Sequence, residues 1–573
     1  MDIPCTIAEI KCLGWSEVDI VLVSGDALID TPHSGVAVVA RVLLNAGYRV
    51  GVICQPRTNT TDDILRLGIP RLFWGVTAGC VDSLVANRTA TGKPRRSDDF
   101  TPGGENNRRP DRASIVYANL IRRACRPCPL LVLGGVEASL RRIAHFDYWS
   151  NSVRRPLLFD AKADAIVYGM AERGVVGLAD ALRDGSEWRN LPGLCYAAAE
   201  VPAKAVELPA YDVLSGREGE RDGKRAFMEM FRIFAANQEP ATAQLLAQRI
   251  DTRWLIHNPP AQPLEGFELD KLHRLPFTHT VHPHDASQGE VRALTTVQFS
   301  LAAHRGCYGE CSFCAIAMHQ GRRVTWRSHK SLVAEAQRYT RHPAFKGVIS
   351  DVSGPTANMY GYECSRKKSA GACSDKSCLY PTVCEALPVD HRPQLELLQK
   401  LRSIDGVRHV FVASGLRPDL IEADKVHGDS YIEQLCRHHV SGQLKLAPEH
   451  SEPSVLSLMR KPEIEGVLRF RRKFEEKSRT VGKRQYLTYY FIAAHPGCTE
   501  SDMIELRKFA QKRLQLNPEQ VQIFTPTPST WATAIWWTGL DPESGNEVFV
   551  ERREGARQRQ KDLLVERLQQ RRK

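Results

Sequence analysis

Short apolar runs alternate with amphipathic segments along most of this chain, and this alternation limits the possible folds more than any other feature. Between Val18 and about residue 185, the strand-length runs include "VDIVLVSGD", "RVGVICQ", "RLFWGVTAG" and "PLLVLGGVEAS", with helical patterns between them. Buried strands alternating with amphipathic helices predict an α/β fold with a doubly wound parallel sheet. Ligands bind such sheets at the carboxyl ends of the strands. The residues expected there are Gly25, Asp26, Gly134, Gly135 and Glu137. The alternative is that these glycines only form tight turns.

A second alternating series begins near Val297. Its six strand candidates are "VQFSLAAHRGC", "GVISDVSG", "HVFVASG", "GQLKLAPEH", "QYLTYYFIAAHPG" and "VQIFTPTP". The helical patterns between these runs predict a partial (β/α)6 barrel. Each strand candidate ends in small or polar residues, and a barrel carries its active site at that end of its strands.

The length of 573 residues exceeds that of one ordinary hydrophobic core, so we expect several domains. A Rossmann-like domain is expected at residues 1–200 and a connector rich in proline and charge at 201–290. The barrel core is expected at 291–540, with a cysteine-rich insertion at 360–390. Residues 541–573 have the pattern of a charged helical tail. We expect this tail to be solvated or to dock on a partner, with RNA contact as the alternative.

The composition, with 42% hydrophobic and 25% charged residues, is that of a globular chain. No basic segment followed by an apolar core opens the sequence, and the early apolar run 18–23 has only strand length, so we expect a cytoplasmic protein without a membrane span. Sixteen cysteines in that compartment favour metal binding or redox chemistry over disulfides. The net charge of +12 permits an acidic partner such as RNA, although a basic surface without a specific partner is the simpler interpretation.

Three cysteines lie within eight residues, because Cys307, Cys311 and Cys314 follow a C-x3-C-x2-C pattern. Thiolates favour zinc, copper(I) or iron–sulfur clusters. A structural zinc site has four ligands, so zinc would have to recruit His304 or His319 here. The alternative is a [4Fe–4S] cluster held at three irons with the fourth iron open. An open iron is useful only if something binds it, and that would make the site catalytic.

This spacing, with Phe313 before the last cysteine, resembles the signature of the radical SAM superfamily. The resemblance implies that the open iron binds the amino and carboxylate groups of S-adenosylmethionine (SAM). It implies that one electron breaks the sulfur–C5′ bond and that the 5′-deoxyadenosyl radical takes a hydrogen atom from substrate. It also implies contacts between SAM and the strand ends. The matching residues are Ser353, Gly354, Ser414, Gly415, Arg417 and Glu449. For Arg417 and Glu449, a structural ion pair at the barrel rim is the alternative.

Longer motifs carry a closer resemblance. The stretches "GGVEASLRRIAHFDYW", "CSFCAIAMHQGR", "HHVSGQLKLAPEH" and "YFIAAHPG" are similar to the YgiQ-type radical SAM proteins, and the similarity runs from about Asp26 to Trp537. The resemblance implies a radical SAM enzyme served by a one-electron donor such as flavodoxin or ferredoxin. The sequence does not define the substrate, for which RNA and protein are the expected classes.

The resemblance also implies a cobalamin-domain-like N-terminal sheet. Related radical SAM families bind cobalamin there through Asp-x-His-x-x-Gly, whereas "DTPHSG" places Asp30, His33 and Gly35 at a different spacing. We therefore do not expect cobalamin to bind through His33, and we expect a vestigial or substrate-binding role for this domain.

A second cysteine group lies in the insertion, in a stretch rich in Lys, Ser and Gly. Its members are Cys364, Cys373, Cys378 and Cys384. A loop-rich insertion with few core residues usually needs a metal to become ordered, so we expect zinc or a second iron–sulfur cluster. Scattered free thiols are the alternative. The rival interpretation of the whole chain is a zinc-organised, basic RNA-binding protein without catalysis. The open three-cysteine site and the barrel strand ends favour the enzyme.

Overall fold

The computed structural model describes residues 2–216 and 220–565. The chain divides into two compact units. The first unit comprises Met1–Leu264, Glu268–Gln298 and Met318–Gln320, and the second comprises Glu265–Phe267, Phe299–Ala317 and Gly321–Lys573. Across the described ranges, no helix is both long and apolar enough to cross a membrane.

The first unit is organised around one large sheet. Its strands are β1 (Ile20–Ser24), β2 (Val50–Cys54), β3 (Phe73–Thr77), β4 (Leu130–Gly134), β5 (His145–Asp147), β6 (Ser152–Arg154), β7 (Ala165–Val167), β8 (Leu194–Ala198), β9 (Val206–Leu208), β10 (Leu246–Ile250) and β11 (Arg253–His257). Among the described residues the sheet has nine strands in the order β2-β1-β3-β4-β7-β8-β11-β10-β9, while β5 and β6 form a separate hairpin.

Five neighbouring strands of this sheet, from β2 to β7, run parallel. Every residue of β1 and β2 is buried, as continuous apolar runs require when helices cover both faces of a sheet. The order β2-β1-β3-β4-β7 is that of a doubly wound fold whose strand order reverses between β1 and β3. The predicted parallel sheet is confirmed.

Helices precede, connect or follow these strands. They are α1 (Ile7–Cys12), α2 (Gly35–Asn45), α3 (Ser83–Asn87), α4 (Ala113–Ala124), α5 (Gly135–Leu140), α6 (Leu157–Asp160), α7 (Glu172–Asp184), α8 (Tyr211–Leu214), α9 (Glu220–Ala236), α10 (Gly266–Leu272), α11 (Pro283–Ala286) and α12 (Leu294–Val297). Buried residues of α2 and α7 join the strands in one apolar core.

The expected connector at residues 201–290 instead contributes β9, β10 and β11 to the sheet. Strands β10 and β11 form an antiparallel pair, and β11 also pairs antiparallel with β8. Their sequences, "LAQRI" and "RWLIH", mix polar and apolar residues, and proline-rich stretches surround them. The composition therefore concealed a tight hairpin of β10 and β11, which β9 and β8 extend into the sheet.

The second unit carries short strands that follow one another in chain order. They are β12 (Ser300–Ala302), β13 (His304–Arg305), β14 (Thr325–Trp326), β15 (Val348–Ile349), β16 (Asp351–Ser353), β17 (His409–Val410), β18 (Gln443–Glu449), β19 (Tyr486–Ala493) and β20 (Val521–Ile523). The parallel pairs are β12 with β16, β15 with β17, β18 with β19 and β19 with β20, and a parallel bridge joins Leu416 to Leu446. The described residues thus give six consecutive parallel strand positions, and the predicted partial barrel is confirmed.

Helices alternate with the barrel strands. They are α13 (Ile316–Gln320), α14 (His329–Tyr339), α15 (Ser365–Ala370), α16 (Arg392–Arg402), α17 (Pro418–Ala423), α18 (Gly428–Gln434), α19 (Pro453–Met459), α20 (Glu465–Thr480), α21 (Glu500–Phe509), α22 (Trp531–Thr538) and α23 (Glu554–Leu564). Leu332 of α14, Leu398 of α16 and Phe470 of α20 are buried with strand residues such as Val352 and Phe491 in one core.

The expected solvated tail contains α23, which packs into the second unit. Gln560 is fully buried, accepts the backbone N–H of Ala494 and donates to the backbone oxygen of Cys498. A polar side chain that satisfies two backbone groups leaves no apolar pattern in the sequence, which explains why this contact was missed. Residues 566–573 of the predicted tail lie outside the described part of the chain.

Candidate metal centre

The three clustered cysteines lie on the loop that follows the first barrel strand. Cys307, Cys311 and Cys314 come after β13 and before α13, and each is partly buried. Gly306 precedes them with a φ of +82°, and a Cβ there would lie 2.0 Å from the backbone oxygen of Arg323. Only glycine fits both constraints, so Gly306 turns the chain from the strand into the cysteine loop.

Gly309 brings two of the sulfurs to the same small space. Its backbone N–H donates to Cys307 Sγ at 3.3 Å. A Cβ on Gly309 would lie 3.4 Å from Cys307 Sγ and 3.8 Å from Cys311 Sγ. Burial is the larger cause and the neighbouring Cys311 the smaller cause of a raised pKa at two of the thiols. The pKa of Cys307 is raised, and that of Cys314 is raised to about 12. Metal binding here would therefore displace thiol protons.

A single metal ion would hold its sulfur ligands close together. A tetrahedral zinc ion with Zn–S distances near 2.3 Å would hold its sulfurs about 3.8 Å apart. Within the described part of the chain, the sulfurs of Cys307, Cys311 and Cys314 do not all lie within 4.8 Å of one another, and His304 does not complete such a set. A single zinc ion would therefore require these side chains to move closer together.

Distant segments fix the cysteine loop at Ser312. Its backbone N–H donates to the oxygen of Met459 at 3.0 Å, and its backbone oxygen accepts the N–H of Ala532 at 2.8 Å. Its hydroxyl lies 3.4 Å from Nε2 of His495, which follows β19. Burial lowers the pKa of His495 to about 3, so its ring is neutral at physiological pH. These contacts fix the loop against distant segments of the barrel.

A buried guanidinium group lies beside the sulfurs. Arg417, just before α17, forms an ion pair with Asp419, and its side chain is 10% exposed. Its Nη1 lies 3.9 Å from Cys311 Sγ. Arg417 therefore forms an ion pair, the alternative considered from the sequence, with Asp419 as its partner and beside the cysteine loop.

Glu449 ends β18 with a buried carboxylate. The residue is 8% exposed and has a φ of +70°, a left-handed conformation that is uncommon for residues other than glycine. Burial raises the pKa of its carboxyl group, and the cations of Lys461 and Arg417 partly offset this effect. Glu449 also acts electrostatically on Cys314. A strained, buried carboxylate at a barrel strand end is typical of a functional position.

The remaining predicted cofactor residues lie at neighbouring strand ends. Gly354 packs against His304, since a Cβ there would lie 2.5 Å from the ring nitrogen. The hydroxyl of Ser414 donates to Asp351, and the backbone oxygen of Gly415 accepts the N–H of Ala357. The Ser353 side chain lies outside the described residues. Sequence reasoning missed Asp351, although it belongs to the same "DVSGPT" stretch.

The insertion that holds the second cysteine group has a small apolar core. Leu379 and Leu387 are buried with Tyr308 and Tyr362, and Cys307, Cys364, Cys378 and Cys384 pack against this cluster. This corrects the expectation of an insertion with few core residues. The buried Lys367 lies beside Cys378: burial raises the pKa of that thiol, and Lys367 lowers it in part. In the described residues, no three of the four insertion sulfurs lie within 4.8 Å of one another.

One further set of possible ligand atoms was not foreseen. Asp390, Asp424 and His427 place three such atoms within 4.8 Å of one another. Asp390 contacts His427 at 3.0 Å, and Asp424 contacts His391 at 2.9 Å and accepts the backbone N–H of Val426. These bonds explain the set as a structural network that holds the loop between α17 and α18.

The predicted ligand edge of the first unit is filled by its own side chains. Asp26, directly after β1, pairs with Arg109 at 2.8 Å, and Arg109 also pairs with Asp98 at 2.7 Å. Gln55 donates to the backbone of Gly25 in the same network. All these side chains are buried. The network occupies the β1/β3 switch point, where doubly wound folds bind ligands.

The "DTPHSG" stretch has a structural role at Asp30. Its carboxylate pairs with Arg41 in the interior and accepts the backbone N–H of Thr278. His33 is partly exposed in the turn before α2. Asp30 is therefore engaged by other residues of the first unit.

Comparison with known proteins identifies the family. The Radical SAM N-terminal family matches residues 3–300. A UPF0313 protein of Fusobacterium nucleatum is 47% identical over 566 residues, covering 98% of both chains, and one of Thermotoga maritima is 46% identical over 568 residues, covering 99% of this chain and 98% of the relative. The chain belongs to the UPF0313 family. The predicted resemblance to the YgiQ-type radical SAM proteins is confirmed, because this UPF0313 protein matches the Radical SAM N-terminal family model.

Among solved structures, this UPF0313 protein is similar to the radical SAM methyltransferase TsrM of Kitasatospora setae with cobalamin and a [4Fe–4S] cluster bound. The sequence identity is 13% and the TM-score 0.48, over 93% of this chain and 87% of that one. It is also similar to the cobalamin-dependent radical enzyme OxsB, with 11% identity and a TM-score of 0.49, over 90% of this chain and 55% of that one.

Proposed function

We propose that this protein is a radical SAM enzyme in which Cys307, Cys311 and Cys314 hold a [4Fe–4S] cluster with one iron open for SAM. The observation that carries this proposal is the set of three partly buried thiols on one loop after the first barrel strand. When bound and reduced, the cluster would supply the electron that splits SAM into methionine and a 5′-deoxyadenosyl radical. Family membership supports the radical SAM assignment and gives no support to the RNA-binding alternative.

The chain's own residues would position the reactants. The contacts of Ser312 hold the cysteine loop against α19 and α22. Glu449 offers a buried carboxylate that could accept from the ammonium group of SAM, and its burial favours a partner that carries a positive charge. Ser414 and Gly415, with Ser353 and Gly354, would line the remaining strand-end contacts to SAM.

The remaining parts of the proposal concern the protein's surroundings. We place the enzyme in the cytoplasm, where a low-potential one-electron donor such as flavodoxin or ferredoxin would reduce it. The strand-end residues named above would contact SAM and do not indicate the substrate. The substrate must therefore be found by experiment. Incubation of the reduced enzyme with SAM and cell extract, followed by mass spectrometry of RNA and protein, would reveal the modified class.

The proposal is tested by incubating anaerobically reconstituted protein with dithionite and SAM. We expect slow formation of 5′-deoxyadenosine and methionine without substrate, together with the visible absorption of thiolate-ligated iron. A protein that binds zinc, lacks this absorption and leaves SAM intact would contradict the proposal.

We also propose that the first unit does not bind cobalamin through His33. The paired Asp26 and Arg109 fill the switch point, and Asp30 is committed to Arg41. Hydroxocobalamin titrated into the full chain should give no spectral shift that depends on His33. A stoichiometric shift that disappears in His33→Ala would contradict this prediction.

A further inference from the structure

We propose that Arg417 raises the reduction potential of the cluster held by the cysteine loop, instead of binding the carboxylate group of SAM. This inference rests on the proposed function, because it concerns the same three-cysteine site. It assigns to Arg417 a positioning and electrostatic role that differs from the strand-end cofactor contact predicted from the sequence.

Each nitrogen of the Arg417 guanidinium group already faces an acceptor within the protein. Nε and Nη2 donate to the two carboxylate oxygens of Asp419 at 2.9 and 2.6 Å. The remaining nitrogen, Nη1, lies 3.9 Å from Cys311 Sγ. A Cβ added at Gly309 would lie 3.6 Å from the same nitrogen. A bidentate pair fixes the plane of the guanidinium group. Arg417 therefore presents a fixed N–H edge to the sulfur.

The backbone of Arg417 is fixed as firmly as its side chain. The fully buried Asn358 accepts the N–H of Arg417 through Oδ1 at 2.9 Å and donates to its backbone oxygen through Nδ2 at 3.0 Å. Asn358 lies in the segment after β16, so two barrel segments hold this one residue. The Asn358 bonds fix the backbone of Arg417, and its side chain can turn toward a ligand only by losing both bonds to Asp419.

The electrostatic argument gives the direction of the effect. The Arg417 guanidinium keeps its positive charge at any accessible pH, and its Nη1 lies 3.9 Å from Cys311 Sγ. One electron from the low-potential donor would make a cluster held by three thiolates more negative. A buried cation stabilises the more negative state, and hydrogen bonds to ligand sulfurs act in the same direction. Arg417 should therefore raise the potential, and Asp419 should moderate this effect.

Replacing Arg417 and replacing Asp419 should shift the reduction potential of the cluster in opposite directions. The midpoint potential of the reconstituted cluster would be measured without SAM, by redox titration followed by electron paramagnetic resonance. We expect Arg417→Gln to shift the potential to a more negative value, Arg417→Lys to shift it less, and Asp419→Asn to shift it to a more positive value. Arg469→Gln removes an exposed charge on α20 and should leave the potential unchanged. Iron and sulfide contents establish that each variant carries the same cluster.

The outcomes separate this inference from the proposed function. A wild-type protein that assembles no cluster or leaves SAM intact contradicts the proposed function itself. If the wild-type protein cleaves SAM, but Arg417→Gln and Asp419→Asn have the wild-type potential at full iron content, only the role of Arg417 is overturned. If Arg417→Gln fails to assemble a cluster, Asp419→Asn decides alone: a positive shift supports the inference, and an unchanged potential overturns it.

Discussion

Replacing Cys311 by alanine should reduce the formation of 5′-deoxyadenosine from SAM to the background level. With two thiolates left on the loop, the third iron of the cluster loses its protein ligand, and SAM then loses the ordered site at which it is cleaved. The same result is expected for Cys307→Ala and Cys314→Ala, because each sulfur would hold a different iron. The product would be measured by chromatography after anaerobic incubation with dithionite and SAM.

The matched control is Cys12→Ala. Cys12 is an exposed free cysteine at the end of α1, in the first unit. Its removal tests whether any loss of thiol, or any handling effect, lowers the product yield. Undiminished cleavage in Cys311→Ala, or an equal loss in Cys12→Ala, would contradict the assignment of the cluster to the three-cysteine loop.

The second large effect concerns the insertion. A variant with Cys307, Cys311 and Cys314 all replaced by alanine should retain metal, near one zinc ion or one iron–sulfur cluster per chain. Four thiols in one insertion, of which Cys378 lies beside Lys367, provide ligands separate from the loop. As at the cysteine loop, metal binding would have to move these sulfurs closer together, because no three of them lie within 4.8 Å of one another in the described residues. Iron, sulfide and zinc would be measured after anaerobic purification.

Further replacement of Cys378 and Cys384 should remove the retained metal, which would place it in the insertion. The apolar core around Leu379 and Leu387 makes the opposite result informative. This core can keep the insertion folded without metal. A triple variant that is folded and carries no metal would therefore show that the four cysteines are free thiols.

The sequence predicted those parts of the fold that local patterns determine. Continuous apolar runs in β1 and β2 and the alternation of strands with helices were sufficient to predict both the sheet and the partial barrel. They were not sufficient for β10 and β11, whose pairing is antiparallel and whose sequences contain polar residues. They also missed α23, because its contact depends on the buried amide of Gln560.

The candidate site divides in the same way. Cys307, Cys311 and Cys314 form a local pattern, so their spacing alone indicated a metal group. The ion pair that reaches this loop could not be predicted, because Arg417 is more than a hundred residues from Cys311 and meets it only through the barrel. Likewise, the bond between Ser312 and His495 joins two strand ends distant in sequence. Local spacing predicted the ligands, and tertiary packing determines their surroundings.

The most direct test of the open iron is the electron paramagnetic resonance spectrum of the reduced wild-type cluster, recorded with and without SAM. If three cysteines leave one iron free, the amino and carboxylate groups of SAM bind that iron and change its electronic environment. We predict that SAM alters the spectrum and that methionine, which offers the same two groups, alters it more weakly. A spectrum that saturating SAM leaves unchanged would contradict the central claim.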